Sequence, residues 1–409
     1  MVSPGAVRTP GTVTQPFTLH RQIILMEPNE DDPLEAGGVL NPASARSADG
    51  QLYLFPRLVA KGNYSRIGIA RVLFNRAGDP VGIERMGVAL EPTEPYEKNP
   101  VTGGGCEDPR ITYISQLGRY LMTYTAFSPS GPRIALAISS DLLTWDRLGL
   151  AHFSPMGAID LDGVDNKDAL LFPSFIIDPR TGQPSSIALI HRPTFVGSPT
   201  YSFMDRWWDL PAKIHAKAGA NGQPPARQLK HPSVWISYCP VVGGLDASAV
   251  FQSHHQVFQS HHRLLSPKRS WEQVKVGGGA PPLLTAHGWV LIYHGVAGRQ
   301  GHFQHSAGVV VLNEQDPEQI LYRTRDPVLA PEDEDQLGVV PDVVFPTAVD
   351  ERSDIGCPDR VDVYYGMADT RIGVATLSLP HMFALNMEAA GLRPRRLPFI
   401  AQKERLAKR

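Results

Sequence analysis

A unit of three strands recurs five times along this chain, and that recurrence constrains the fold more than any other feature. Each unit opens with an inner segment that contains Pro, continues with a strongly apolar strand, and ends with a strand rich in small and branched residues. The first unit runs NPASARS (41–47), QLYLFPRLV (51–59) and RIGIARVLF (66–74). The second runs EDPRITYI (107–114), RYLMTYTAF (119–127) and RIALAISSD (133–141). The third runs ALLFPSFII (169–177), SIALIHRP (186–193) and SVWISYCP (233–240). The fourth runs GAPPLLT (279–285), GWVLIYHGV (288–296) and HSAGVVVL (305–312), and the fifth DVVFPTAV (342–349), RVDVYYGMAD (360–369) and RIGVATLSL (371–379). SSDLLTWDRLG (139–149) and SPKRSWEQV (266–274) each set a Trp just before an expected outer strand. Small antiparallel sheets repeating at this length describe propeller blades. The expected fold is all-β, a five-bladed β-propeller with a C-terminal helical extension. A β-sandwich is the alternative, and the segment order, kept five times, speaks against it.

The ring is expected to occupy 17–380. Residues 1–16, rich in Pro, Thr and Gly, read as a disordered arm, and 381–409 as a helical tail that caps the ring or meets another subunit of a homo-oligomer. Two stretches break the pattern. A long insertion at 194–232 carries Phe203, Trp207 and Trp208, and long loops in compact folds are often lids. Paired Trp can stack on sugar rings, or can simply pack the loop down. FQSHHQV followed at once by FQSHHRL (251–264) brings His254, His255, His261 and His262. Adjacent His on a strand point to opposite faces, so a duplicated outer hairpin is preferred to a metal site.

Composition narrows the function. Charged residues are 20% and apolar residues 42%, as in soluble globular chains. A net charge of −2 argues against a nucleic-acid partner. No apolar run reaches the roughly 20 residues that span a bilayer, and the N-terminal segment has no secretory h-region. Cys106, Cys239 and Cys357 form neither a disulfide framework nor a metal motif. The expected location is the cytoplasm, with no metal and no cofactor.

Propeller active sites lie at the mouth of the central channel, so polar residues in or just after the apolar strands are the candidates. A buried charge is costly unless paired or used. In GGGCEDPRIT (103–112) three glycines allow close backbone approach and deliver Glu107, Asp108 and Arg110 to the channel. Strand alternation is expected to turn Glu107 and Asp108 to opposite sides. DNKDALLFP (165–173) supplies Lys167 and Asp168, and IHRP (190–193) supplies His191 and Arg192. LIYHG (291–295) supplies Tyr293 and His294, and YYGMADTR (364–371) supplies Tyr365, Asp369 and Arg371. The first unit offers Asn41, Arg57, Lys61 and Arg66. Cations outnumber carboxylates in this set once Arg133 is added. An ordinary glycosidase needs two carboxylates at the scissile bond. A phosphorolytic enzyme needs only the acid, with a cation cluster to hold phosphate as the nucleophile.

These segments resemble glycoside hydrolase family 130, the β-mannoside phosphorylases and related mannosidases, from about Asn41 to Ala375. NPASAR, GGGCEDPRIT, NKDALLFP, HRP, GGGAPPLLTAHGWVLIYHG, VVFPTAV and YYGMADT carry the similarity, in that order. The resemblance implies a five-bladed propeller, with Asp108 as general acid acting directly or through a sugar hydroxyl. It implies phosphate held by Arg133, Lys167, Tyr293 and His294. Mannose is then held by Asn41, Arg66 and Asp369, with Arg57, Glu107, Asp168, His191 and Arg192 completing the substrate site. Ser174 stands where the family often has a Glu, which weakens a hydrolytic reading. The implied reaction is inverting phosphorolysis of a β-mannoside to α-mannose 1-phosphate. An inverting β-mannosidase and a non-catalytic glycan-binding propeller are the alternatives. Burial is expected to raise the Asp108 pKa for its role as acid.

Overall fold

The computed structural model describes residues 17–99, 103–182, 186–195, 231–241, 257–299 and 302–379. The expected N-terminal arm, the C-terminal helical tail, Trp207, Trp208, and His254 with His255 lie outside them. The described chain is all-β, with only short 3-10 turns besides strands.

The first strand, β1 (Leu19–Met26), is followed by a meander of β2 (Gly38–Arg46), β3 (Leu52–Ala60), β4 (Tyr64–Phe74) and β5 (Pro80–Leu90). A second meander follows: β6 (Gly104–Ile114), β7 (Arg119–Ser128), β8 (Gly131–Ser139) and β9 (Asp146–Leu150); a two-residue parallel bridge from β4 to β6 makes one eight-stranded sheet of the two meanders, each a four-stranded sheet in its own right. The third sheet holds β10 (Asp165–Leu171), β11 (Ser186–Thr194), β12 (Val234–Pro240) and β13 (Gln259–Leu265). The fourth holds β14 (Lys275–Gly278), β15 (Leu283–Thr285), β16 (Gly288–Arg299), β17 (His302–Leu312) and β18 (Ile320–Arg323). The fifth holds β19 (Val344–Glu351), β20 (Arg360–Met367) and β21 (Arg371–Ser378). Its fourth strand is β1, antiparallel to β21, so residues from both ends of the described chain share one sheet.

The repeat is thus four strands long rather than three. The outermost strands β5, β9, β13 and β18 are half-buried or exposed along much of their length, so they lack the apolar run that marks their neighbours. Two further expectations change. Trp271 precedes β14, the inner strand of the fourth sheet, not an outer strand. The inner edge of that sheet is split, with β14 and β15 both pairing β16 and GAPP between them.

The middle strands read as continuous apolar runs because they are covered on both faces. One core lies between the first and second sheets (Phe55, Ile67, Met122, Tyr124). Another lies between the second and third (Leu121, Leu136, Leu171, Leu189). The third and fourth sheets share Ile190, Ile236, Leu291 and Val310. The fourth and fifth share Ile292, Val309, Val363 and Leu377, and the fifth and first share Leu54, Val72, Tyr364 and Val374. Alternation along β16 sends Trp289 and Leu291 to one neighbour and Val290 and Ile292 to the other, as period-2 side chains require. Truncating such a Leu to Ala costs roughly 2–5 kcal/mol.

The glycine run has a local purpose. Gly104 and Gly105 pair in parallel with Tyr64 and Ser65, joining the first two meanders. Both have positive φ, and a Cβ on Gly105 would lie 2.1 Å from the Ser65 carbonyl oxygen.

Candidate active site

Three inner strands carry the same irregularity. Pairing slips between Leu40 and Ala43 in β2, Glu107 and Arg110 in β6, and Lys167 and Leu170 in β10. At each slip one residue is left-handed: Asn41 (φ 45°), Asp108 (φ 47°) and Asp168 (φ 57°). Asn and Asp tolerate this conformation better than other side chains, and a bulge re-aims the side chain it carries. The neighbouring chain is correspondingly bare, since a Cβ on Gly366 would meet Asn41 Oδ1 at 2.1 Å.

The bulges bring the candidates together. Asn41 Nδ2 donates to Asp108 Oδ1 at 2.8 Å. Arg57 Nη1 reaches the same oxygen at 3.3 Å, and its Nη2 donates to Glu107 Oε1 at 2.9 Å. Lys167 Nζ donates to Glu107 Oε2 at 3.2 Å. Glu107 and Asp108 therefore share Arg57 rather than facing opposite ways, because the bulge at Asp108 interrupts the alternation. Arg192 Nε donates to Asp168 Oδ2 at 2.5 Å, and His294 Nε2 lies 3.7 Å from that oxygen. Gly277 leaves them room, because a Cβ there would sit 2.2 Å from Asp168 Oδ2 and 2.6 Å from His294 Nε2.

Burial and charge divide the carboxyls. Burial opposes ionisation of Asp108, yet Arg57, Lys167, Arg110 and the Asn41 hydrogen bond hold it below the ordinary carboxylate value. The expected upward shift is absent, because cations surround this carboxyl. Asp168 is likewise held below the ordinary carboxylate value by Arg192 and His294 despite its burial. Asp369 is pushed up to about 6 by burial and by the Asp108 charge, with Arg57 and Lys167 opposing. It sits in the turn between β20 and β21, where it and Ala368 are both left-handed (φ 49° and 48°).

Two site residues escape a sequence reading. Burial and the Arg192 charge push Lys275 down to about 7, with Asp168 opposing. His305 is driven well below an ordinary imidazole by burial, then by Lys275 and His294. His294 is pushed down to about 3, chiefly by burial. The rings of His294 and His305 lie 6.2 Å apart, and the Nδ1 atoms of both are buried without a partner among the described residues. Lys275 opens β14 beside the glycines, and His305 precedes an apolar run; neither lies in or just after such a run.

Four candidates are engaged by other partners. The Tyr293 hydroxyl donates to Glu272 Oε1 at 2.6 Å and accepts from Arg323 Nε at 3.1 Å, on the side facing the third sheet. Tyr124, Glu97 and Arg147 make a similar group in the second meander, so Tyr293 belongs to a repeated packing device. His191 is a core histidine, tied to Asn166 at 3.0 Å and Ser237 at 2.8 Å. Ser237 in turn meets His261, whereas His262 faces Glu318. Arg133 is committed to Asp165 and to the carbonyls of Asp162 and Gly163. Arg66 pairs with Glu91 at 3.0 Å. Of the remaining polar residues, Tyr365 accepts from Arg21, Arg371 binds the Glu334 and Leu337 carbonyls, and Lys61 is exposed.

The arrangement sets Asp108 and Asp369, around Arg57 and Lys167, beside the basic side chains Lys275, His294, His305 and Arg192, of which His294 and Arg192 are buried. It can transfer a proton at one end and hold an anion at the other.

Known proteins share this framework. Residues 24–176 and 242–388 match the family model described as beta-1,4-mannooligosaccharide phosphorylase. A 1,2-beta-oligomannan phosphorylase of Thermoanaerobacter sp. is 27% identical over 362 residues, covering 87% of this chain and 95% of that protein. A beta-1,2-mannobiose phosphorylase of the same organism is 29% identical over 283 residues, covering 68% of each. The solved beta-1,2-mannobiose phosphorylase of Listeria innocua shares the fold, with a TM-score of 0.62 at 21% identity, over 90% of this chain and 98% of that one. With the family model matching well over half its length, the chain belongs to glycoside hydrolase family 130.

Proposed function

We propose that this protein is an inverting phosphorylase of β-mannosides, with inorganic phosphate as co-substrate and α-mannose 1-phosphate as product. The observation that carries the reading is the group of basic side chains beside Asp108, in which the cations Arg192 and Lys275 meet the neutral imidazoles of His294 and His305. Arg192, Lys275, His294 and His305 lie around Asp168, a carboxylate already engaged by Arg192. Such a group, with two imidazole nitrogens lacking partners among the described residues, suits a phosphate dianion. The family match and the named relatives, which are phosphorylases of β-mannosidic sugars, support the same reaction. Asp168 is then the carboxylate that orients Arg192 and His294, rather than a sugar ligand.

Asp108 is the general acid. A phosphate oxygen attacks the anomeric carbon as the glycosidic C–O bond breaks. The leaving oxygen takes the proton of the Asp108 carboxyl, directly or through a sugar hydroxyl. In the free protein Asp108 is held ionised by its cations. A dianion docked beside Lys167 and Lys275 offsets that field and raises the Asp108 pKa, so phosphate binding itself favours the protonated acid. Asn41, Arg57 and Asp369 hold the mannosyl unit, and Asp369, shifted to about 6, can donate a hydrogen bond only on the acid side of that value and accepts one above it.

We place the five sheets as blades of one propeller spanning 17–380. Each consecutive pair shares a core, the fifth with the first included, and β1 completes the last blade. The bulged inner strands then line the axis. The test is release of mannose 1-phosphate from β-1,2- and β-1,4-mannooligosaccharides with and without phosphate. Phosphate-dependent release is expected; free mannose released without phosphate would overturn the reading in favour of a hydrolase.

A further inference from the structure

Arg110 is among the most deeply buried cations of the protein, at 1% exposure. Its bonds go to backbone oxygens: Nη1 donates to the Asp108 carbonyl at 2.7 Å, and Nε to the Gly279 carbonyl at 2.8 Å. Its guanidinium lies over the Phe345 ring at 5.6 Å, and the other neighbour of that ring is His294 at 4.4 Å. Nη2 is buried with no partner among the described residues. Arg110 thus links the second sheet to the fourth, which do not share a core.

The other two bulges are pinned differently. Thr347 Oγ1 donates to the Pro42 carbonyl at 2.7 Å, one residue past Asn41. Thr123 Oγ1 donates to the Ala169 carbonyl at 2.6 Å, one residue past Asp168. A neutral hydroxyl from a neighbouring sheet suffices in both. The Asp108 bulge instead receives a fully buried cation, which costs more to desolvate than a hydroxyl, and burial lowers the Arg110 pKa accordingly. A left-handed Asp is strained, and such strain persists where the surroundings over-determine it. The difference lies in the charge, and that charge sits beside the acid.

The structure assigns Arg110 as a positioning residue for catalysis: it clamps the Asp108 carbonyl to Gly279, so holding the bulge that aims the acid, and its charge biases the protonation of that carboxyl. The inference rests on Asp108 being the acid. Arg110→Met, Arg110→Lys and Asp108→Asn are compared for kcat, for both KM values, and for the pH profile of kcat with both substrates saturating, with thermal unfolding in parallel. Arg110→Met is expected to lose kcat on the order of 10²-fold, as misplacement of a catalytic group by about 1 Å does. Its phosphate KM stays within about twofold. The basic limb of its profile moves to higher pH, because a cation favouring ionised Asp108 is gone. Arg110→Lys keeps the limb at its parental pH and recovers part of kcat, since one ammonium cannot span both carbonyls. Parental kcat in Arg110→Met, or a loss of kcat with an unmoved limb, overturns the assignment. Should Arg110→Met not fold, Arg110→Lys decides: reduced kcat with a parental limb supports it, and parental kcat overturns it. An active Asp108→Asn would instead overturn the acid itself, whatever the Arg110 variants do.

Discussion

Asn41 and Asp108, 67 residues apart, are joined by a 2.8 Å hydrogen bond between the inner strands of neighbouring meanders, and both residues are left-handed. Asn41→Asp is nearly isosteric and sets a second carboxylate against the acid. A like charge raises a carboxyl pKa. The basic limb of the kcat profile is expected to move to higher pH, with little change in melting temperature. An unmoved limb would separate Asp108 from the rate-determining proton transfer.

Asp108→Asn removes the transferable proton and keeps the shape. General acid catalysis contributes about 10²–10⁴-fold, so turnover of an unactivated mannoside should fall by that order. A β-mannoside with a good leaving group, needing less protonation, should lose less. Assaying both substrates on one variant checks the role: equal losses would point to binding instead.

Gly277→Ala places a methyl 2.2 Å from Asp168 Oδ2 and 2.6 Å from His294 Nε2. Both side chains are boxed in, so the anion site must distort. Phosphate KM should rise by about tenfold or more, equivalent to about 1.4 kcal/mol, while KM for the saccharide changes little.

Lys275, with a pKa near 7 in the free protein, should make phosphate binding pH-dependent. Binding a dianion favours the charged amine, so a proton is taken up and affinity falls as pH rises above about 7, by up to about tenfold per unit. The sign for stability is opposite. The unfolded chain, whose lysine titrates near 10.4, binds more protons between about 7 and 10, so this group makes stability rise with pH across that window. Lys275→Met should therefore raise the melting temperature at pH 7 in phosphate-free buffer while weakening phosphate binding. Calorimetry and KM measured on the same variant check both.

Tyr293→Phe strips a hydroxyl from the buried Glu272–Arg323 group. Leaving such polar groups unsatisfied costs about 1–3 kcal/mol, which a denaturant titration would read. Phosphate KM should stay near parental; a large rise would return Tyr293 to the anion site.

Much of the architecture was legible because it is local. The apolar middle strands β3, β7, β11, β16 and β20 announce themselves through burial on both faces, whereas the left-handed bulges at Asn41, Asp108 and Asp168 overturned the alternation expected of Glu107 and Asp108. Asp108, Lys167, Arg57 and His294 could be drawn from those segments, and the motif order already identified the family. Partnership was not legible. Tyr293 and His294 are sequence neighbours on one strand, and the strand's two-residue period sends one to a packing group and the other to the side of Asp168, the proposed anion site. Arg133 and Lys167 are both cations beside inner strands, but only the tertiary structure pairs Arg133 with Asp165 and leaves Lys275, which no motif marked, among the cations. The same holds for protonation: composition counts charges, whereas the placement of Arg57 and Lys167 around Asp108 lowers that carboxyl while burial raises Asp369. Strand identity and turn chemistry are properties of a few adjacent residues, and the sequence determined them. The site is a property of side chains from all five sheets meeting through space, and that was decided only by how the sheets pack.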